Sequence, residues 1–389
     1  MNDLFVEIDY ASINKYKETL CGDHIELIND ENNQILVLAD GLGSGVKANI
    51  LSTLTSKIIS TMIANGMSLS DCIETIANTL PVCKVREIAY STFSVLRFIH
   101  SNEVEIIQFD NPFIILIREG ELYEFHKTEM QISGKKIFYS HIKIKENDLF
   151  ISMSDGCVHA GVGKERNFGW RREEIIDYMK AFYHSELTSK TLVKILLDQC
   201  MKLYDDKPGD DTTVAVARVI KREPTHVMIG PPKNPSDLKR MMSIFFSKEG
   251  KKIVCGGTTS ELVAHYLKKD LKPSLKYIDQ DIPPTAEIEG IDLVTEGVIT
   301  INKVLDYTRD YLNHNVKHKS WGYKKDGASL LTRKLIEEST DIHFYVGQAI
   351  NPAHQNPDLP INFNIKMQLV NRLTEALKQI GKIVKINYY

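Results

Sequence analysis

Apolar positions recur with two periods along this chain, and the switches between them mark its elements. HIELIND and QILVLAD are strand-like runs around an Asp30-Glu31-Asn32-Asn33 turn, which predicts a hairpin. Further on, Val46, Ile50, Leu54, Ile58 and Met62 repeat at helical spacing and predict a helix over 46–65. A second helix is expected over 69–80, opened by Ser68 or Ser70 and stopped by Pro81. Four β-rich runs follow between 90 and 126: STFSVLRFI, EVEIIQF, PFIILIRE and ELYEF. Turn residues at Ser101-Asn102, Asn111-Pro112 and Gly120 separate them, and connections this short suit antiparallel neighbours. A strand pair over 135–153, helices over 171–183 and 188–204, and the strand DTTVAVARVI complete the segment.

Residues 1–220 thus predict two antiparallel β-rich blocks interleaved with two helix pairs. That is an α/β sandwich with helices packed on sheets, not a regular β-α alternation. Pro224, Pro231, Pro232 and Pro235 then punctuate the chain. Beyond them strands THVMIG, KKIVCGG, DIHFYVG and KIVKINYY alternate with helical segments over 236–248, 258–269, 295–312, 327–339 and 365–380. This predicts a compact α/β domain with some parallel strands, and domains of 1–222 and 223–389.

Hydrophobic residues make up 43% and charged residues 25%, a folded and water-compatible balance. The net charge of −3 gives no electrostatic case for nucleic acid or an anionic membrane as partner. The opening MNDLFVEIDYAS has no long apolar run and does not read as a signal peptide. The six cysteines show no Cys-x-x-Cys, so reduced thiols and a cytoplasmic location are expected.

Four acidic signals each stand beside a glycine: Gly22-Asp23, Asp40-Gly41, Asp155-Gly156 and Gly209-Asp210-Asp211. One Asp-Gly at a strand end is ordinarily a plain turn. Four on one β-rich segment suggest more, because glycine lets the backbone turn sharply and leaves room beside the carboxylate. Converging carboxylates raise one another's pKa unless cations lie between them. Mg²⁺ or Mn²⁺, which take oxygen ligands, would relieve that repulsion, and two such ions can activate a shared water.

The stretches CGDHIELI, LADGLGSGVKANILS, NDLFISMSDGCV and GDDTTVAVARV resemble, in order, the motifs of PPM-type metal-dependent Ser/Thr protein phosphatases, closest to the bacterial SpoIIE-like branch. The resemblance covers about residues 1–220 and implies an α-β-β-α sandwich with antiparallel sheets. It implies hydrolysis of phosphoserine or phosphothreonine on a protein by a water bridging two Mn²⁺ or Mg²⁺ ions. Asp40 would bridge the ions, with Asp23 to one side and the Gly41 carbonyl on one of them. Asp155 and Asp210 would hold the other ion, and Asp211 is a secondary ligand. The implied partner is a phosphorylated regulator of the anti-sigma antagonist type. The phosphate-binding Arg and general-acid His of eukaryotic members have no match here.

Two other readings compete. Gly41-x-Gly43-x-Gly45 between a strand and a helix could mark a nucleotide-binding signalling protein. Its spacing fits neither a dinucleotide fingerprint nor a P-loop, and Asp40 would oppose phosphate. A catalytically inactive, phosphatase-like scaffold is the other. His159 reads as a surface-loop residue, Cys21 and Cys157 as small buried thiols, and His314 with His318 as a solvent-facing pair. In the second domain Gly256, Gly257, Thr258 and Thr259 could bind an anion at a helix start, with Asp292 and Glu296 lining the same crevice. The same letters spell a capping box of Thr258 and Glu261, the favoured reading. A regulatory or ligand-binding role is expected for 223–389.

Overall fold

The computed structural model describes residues 3–29, 33–79, 91–132, 134–164, 166–184, 187–274, 278–313, 321–349 and 362–389. Most of the Asp30–Asn33 turn, Pro81 and the His314–His318 pair lie outside them. Two compact units divide the chain, Met1–Lys221 and Arg222–Tyr389.

The first unit has eleven strands: β1 (Leu4–Ile13), β2 (Asp23–Asn29), β3 (Asn33–Gly41), β4 (Ser91–Ile99), β5 (Glu103–Phe109), β6 (Ile115–Arg118), β7 (Glu121–Leu122), β8 (Thr128–Ile132), β9 (Lys135–Lys143), β10 (Leu149–Met153) and β11 (Thr212–Lys221). Its helices are α1 (Gly45–Ala64), α2 (Leu69–Thr79), α3 (Asp155–Val158), α4 (Arg172–Lys180) and α5 (Ser189–Leu203). One sheet runs β1-β11-β10-β6-β7 and the other β2-β3-β4-β5-β9-β8, with antiparallel pairing in both.

Period-two alternation explains the layers. In β3, Leu36 and Leu38 face the core between the sheets, while Ile35, Val37 and Ala39 pack with Ile59 of α1 and Ile73 of α2. In β11, Ala215 and Ala217 join the inter-sheet core, and Val214 and Val216 meet α4 and α5. Central strands buried on both faces read as continuous apolar runs for this reason. The result is an α-β-β-α sandwich.

Three features differ from the sequence reading. The strands over 135–153 are not a pair: β9 joins β5 and β8, whereas β10 joins β6 and β11 in the other sheet. Likewise β5 and β6 belong to different sheets despite their short connection. β1, for which no strand is expected from the sequence, pairs with β11 along its length, from Leu4↔Lys221 to Ile13↔Thr212, and places Val6 and Ile8 in the inter-sheet core.

The third concerns α1. Its apolar stripe points outward, with Val46, Ile50 and Leu54 exposed. The buried face carries Ala48, Ser52, Thr55, Ser56 and Ser60. Each of those hydroxyls donates to a carbonyl three or four residues back, so its burial leaves no donor unpaired. Small side chains also let the helix lie close on the sheet; a Cβ on Gly41 would fall 2.2 Å from the Ala48 carbonyl oxygen.

The second unit comprises β12 (Pro224–Ile229), α6 (Leu238–Ser247), β13 (Lys251–Cys255), α7 (Gly257–Leu267), β14 (Lys272–Pro273), β15 (Ala286–Glu287), β16 (Leu293–Thr295), α8 (Val298–Asn313), α9 (Gly327–Ile336), β17 (Asp341–Val346), α10 (Asn362–Gln379) and β18 (Ile383–Tyr388). The sheet order is β14-β15-β16-β13-β12-β17-β18, and the five strands from β16 to β18 are parallel. Helices α6 and α7 pack on one face, and α8, α9 and α10 on the other. This is a doubly wound α/β unit whose strand order reverses at β12 and β17. Lys366 of α10 reaches the carboxyl ends of these strands and donates to the Gly347 and Ala349 carbonyls. No helix among the described residues is long and apolar enough to cross a membrane.

Candidate metal centre

Five aspartates converge at one end of the sandwich. Asp23 opens β2 and stands in register with Asp40 near the end of β3. The ladder extends one residue further, since the Gly41 amide donates to the Gly22 carbonyl at 3.1 Å. Ser91 of β4 donates to the Asp40 carbonyl at 2.9 Å. Asp155 comes from the other sheet, as the first residue of α3 after β10. Asp210 and Asp211 lie just before β11, next to β10.

Close packing of glycine fixes the approach. A Cβ on Gly156 would sit 2.1 Å from the Asp211 carbonyl oxygen, and one on Gly22 2.8 Å from Asp211 Oδ2. Only glycine lets these segments meet. Asp211 Oδ1 accepts the Lys15 amide at 2.9 Å, and Asp210 Oδ1 accepts the Asp211 amide at 3.0 Å. Lys15 Nζ is 3.9 Å from Asp210 Oδ1.

The electrostatics are those of carboxylates lacking counter-charge. Asp23 is 4% exposed, and neither of its oxygens has a hydrogen bond. Burial pushes its carboxyl up, the nearby Ser154 and Thr213 hydroxyls oppose this, and Asp211 and Asp155 add to the rise. Burial also raises Asp40, and the negative charges of Asp23, Asp155 and Asp210 raise it further. Asp210 is raised by burial and by Asp155, with Lys15 opposing. Asp211 Oδ2 is likewise buried without a partner. Oxygen-only donors, several of them buried and unpaired, fit hard divalent cations. Asp23, Asp40, Asp155, Asp210 and Asp211 could hold them.

The sequence reading passed over Lys15, which carries no local motif. It set His159 on a surface loop; the residue is exposed, and its Nδ1 is also 3.8 Å from Asp155 Oδ2. Cys157 is fully buried and Cys21 only partly so; burial pushes the Cys21 thiol up to about 12 and the Cys157 thiol up as well. The described cysteines are free.

The anion site and its rival fare differently in the second unit. Helix α7 begins at Gly257 with Gly256 at the N-cap (φ 113°), and no side chain caps it. The Thr258–Glu261 capping box is therefore not formed: Thr258 lies inside the helix, two residues past the N-cap Gly256. Gly256, Gly257, Thr258 and Thr259 do share that turn. Asp292 does not line the same crevice as Glu296. It binds the Lys252 amide at the amino ends of β13 and β16, whereas Glu296 follows the carboxyl end of β16.

An α-β-β-α sandwich with converging aspartates at one end defines the first unit as PPM-type. Residues 30–220 match the family model described as Stage II sporulation protein E (SpoIIE), and this unit belongs to that family. The Stage II sporulation protein E of Bacillus subtilis (strain 168) is 23% identical over 210 residues, which are 50% of this chain and 23% of that protein. The chain therefore matches about a quarter of its curated relative's length. Among solved structures, the PP2C phosphatase domain of Bacillus subtilis SpoIIE, with a fragment of its regulatory domain, is 20% identical with a TM-score of 0.47, covering 57% of this chain and 65% of that one. The RsbU and RsbW domains of a Mycobacterium tuberculosis protein give 13% and 0.49, covering 83% and 78%. RsbX in complex with magnesium gives 20% and 0.39, covering 56% and 97%.

Proposed function

We propose that the first unit hydrolyses phosphoserine or phosphothreonine monoesters on a protein, with two Mn²⁺ or Mg²⁺ ions held by Asp23, Asp40, Asp155 and Asp210, and with Asp211 and the Gly41 carbonyl as accessory ligands. The observation that carries this is Asp23, a buried carboxylate with both oxygens unpartnered among four others. Such a cluster is costly to fold without cations. Bound there, the ions would supply Lewis-acid polarisation of the phosphoryl group and a more acidic water.

The chain's own residues divide the remaining work. Asp40 and Asp23 hold the centre of the cluster, and Asp155 and Asp210 its outer side. Lys15, half-exposed on the rim beside Asp210, presents a cation to the incoming phosphate. The substrate is a phosphorylated regulator of the anti-sigma antagonist type, in keeping with the RsbU- and RsbX-bearing proteins of similar shape. The second unit binds a ligand or partner and regulates the first.

The test is phosphate release from a phosphoserine protein by the full chain with Mn²⁺ or Mg²⁺. Asp40→Ala should abolish release and leave the circular dichroism spectrum unchanged. Retained activity in that variant defeats the assignment.

A further inference from the structure

Asp155 and His159 stand four residues apart, at the start and the C-cap of α3. Asp210 joins them from the segment before β11. One ligand atom from each of the three lies within 4.8 Å of the other two. An acidic cluster alone would not mark a site. The independent sign of a cation is Asp23, buried and unpartnered in the same cluster, whose charge acts on Asp40 and which itself feels the charge of Asp155.

We propose that His159 supplies an imidazole nitrogen to the ion held by Asp155 and Asp210, so that this position prefers a later first-row transition ion to Mg²⁺. The inference rests on the two-ion reading above and deepens it.

Residues four apart on one helical turn present side chains to the same point, as paired metal ligands often do. As a partner to Asp155 alone, His159 would contribute little, because both side chains are about half exposed, at 54% and 46%. As a ligand it changes the donor set from all-oxygen to mixed nitrogen and oxygen. Mg²⁺ takes oxygen ligands and dehydrates reluctantly, so it gains little from imidazole. Affinity for nitrogen donors rises from Mn²⁺ through Fe²⁺ to Co²⁺.

Full-length protein stripped with a chelator is titrated with Co²⁺ or Mg²⁺ by calorimetry, and the visible spectrum of Co²⁺ is recorded. Mutating even the outer partners of a metal ligand costs about 10–100-fold in affinity, so His159→Ala should weaken Co²⁺ binding at least about tenfold. Mg²⁺ binding should hold, and the Co²⁺ absorption should change. His159→Glu should move the preference toward Mg²⁺. Equal effects on both ions, or an unaltered Co²⁺ spectrum and affinity in both variants, overturn the inference while sparing the phosphatase reading. A wild-type chain that binds neither ion overturns that reading, and this inference with it.

Discussion

Asp23 and Asp40 are direct cross-strand partners, two carboxylates facing each other at the open end of the β2–β3 ladder. Like charges in that position weaken a sheet. Here burial adds to the strain, and the strain is concentrated where the proposed ions would relieve it.

Asp23→Asn keeps the shape and removes one charge. Without divalent ions the variant should be more stable than wild type by up to about 1 kcal/mol, the scale of a cross-strand charge pair, because one of the converging like charges is gone. With Mn²⁺ the order should reverse, because the variant has lost a ligand. Thermal unfolding of both proteins, with chelator and with Mn²⁺, reads the two signs directly.

The same carboxylates set a pH dependence. Burial and its neighbours push Asp40 from 3.8 up to about 9 in the folded protein. A raised carboxyl binds its proton more tightly folded than unfolded. Its contribution to stability is therefore complete below about pH 4 and is lost as pH rises toward about 9. In metal-free protein the protection factors of amides in β2 and β3, corrected for intrinsic base-catalysed exchange, should fall as pH climbs through this window, and Mn²⁺ should suppress the fall.

Gly156→Ala tests the close packing. The added Cβ would fall 2.1 Å from the Asp211 carbonyl oxygen and 2.6 Å from Thr212 Oγ1. Either α3 or the segment before β11 must shift, which separates Asp155 from Asp210. Overpacking of this kind costs about 1–3 kcal/mol. Calorimetric titration should show weaker Mn²⁺ binding, with β12 and β13 exchange unaltered.

Lys15→Met should raise KM for a phosphoprotein about two- to fivefold, the range of an exposed ion pair, and leave kcat nearly unchanged. Inorganic phosphate should inhibit the variant less well. Lys15→Arg should restore both values. A fall in kcat alone would remove Lys15 from substrate binding.

In the second unit, His226 lies against His343 with ring centroids 5.0 Å apart. Its Nε2 donates to the Glu249 carbonyl at 2.9 Å, and Tyr345 Oη is 3.2 Å from its Nδ1. Burial holds its pKa down at about 4, with Lys252 and His343 adding to the fall. The unfolded chain binds this proton first, so stability is present above about 6.5 and lost as pH falls through about 4. Protection factors of amides in β12 and β17, which correct for the intrinsic slowing of exchange toward acid, should fall over that interval.

Much of this was legible in the sequence because local rules decide it. The helical repeat marks α1, and turn residues mark β4 and β5. Sheet membership was not legible: the residues joining β5 to β6, and β9 to β10, look like hairpin connections yet cross between sheets. The direction of α1 was hidden too, since its buried face consists of hydroxyls that bond within the helix. Glycine-flanked aspartates can be picked out one by one. Their convergence depends on the order of two sheets, which no short pattern contains. Lys15 lacks any motif and becomes visible only through distance, whereas His159 can be picked out beside Asp155-Gly156 but reads there as a surface-loop residue.

The pairing of β1 with β11 sets Leu4 beside Lys221, so the two boundaries of the first unit are neighbours on a single ladder. A short linker could join them, and a new opening could be cut at an exposed turn elsewhere. The aspartate cluster lies at the other end of this ladder, where Ile13 pairs with Thr212. The module is in this sense a cartridge, transferable between hosts through one narrow seam.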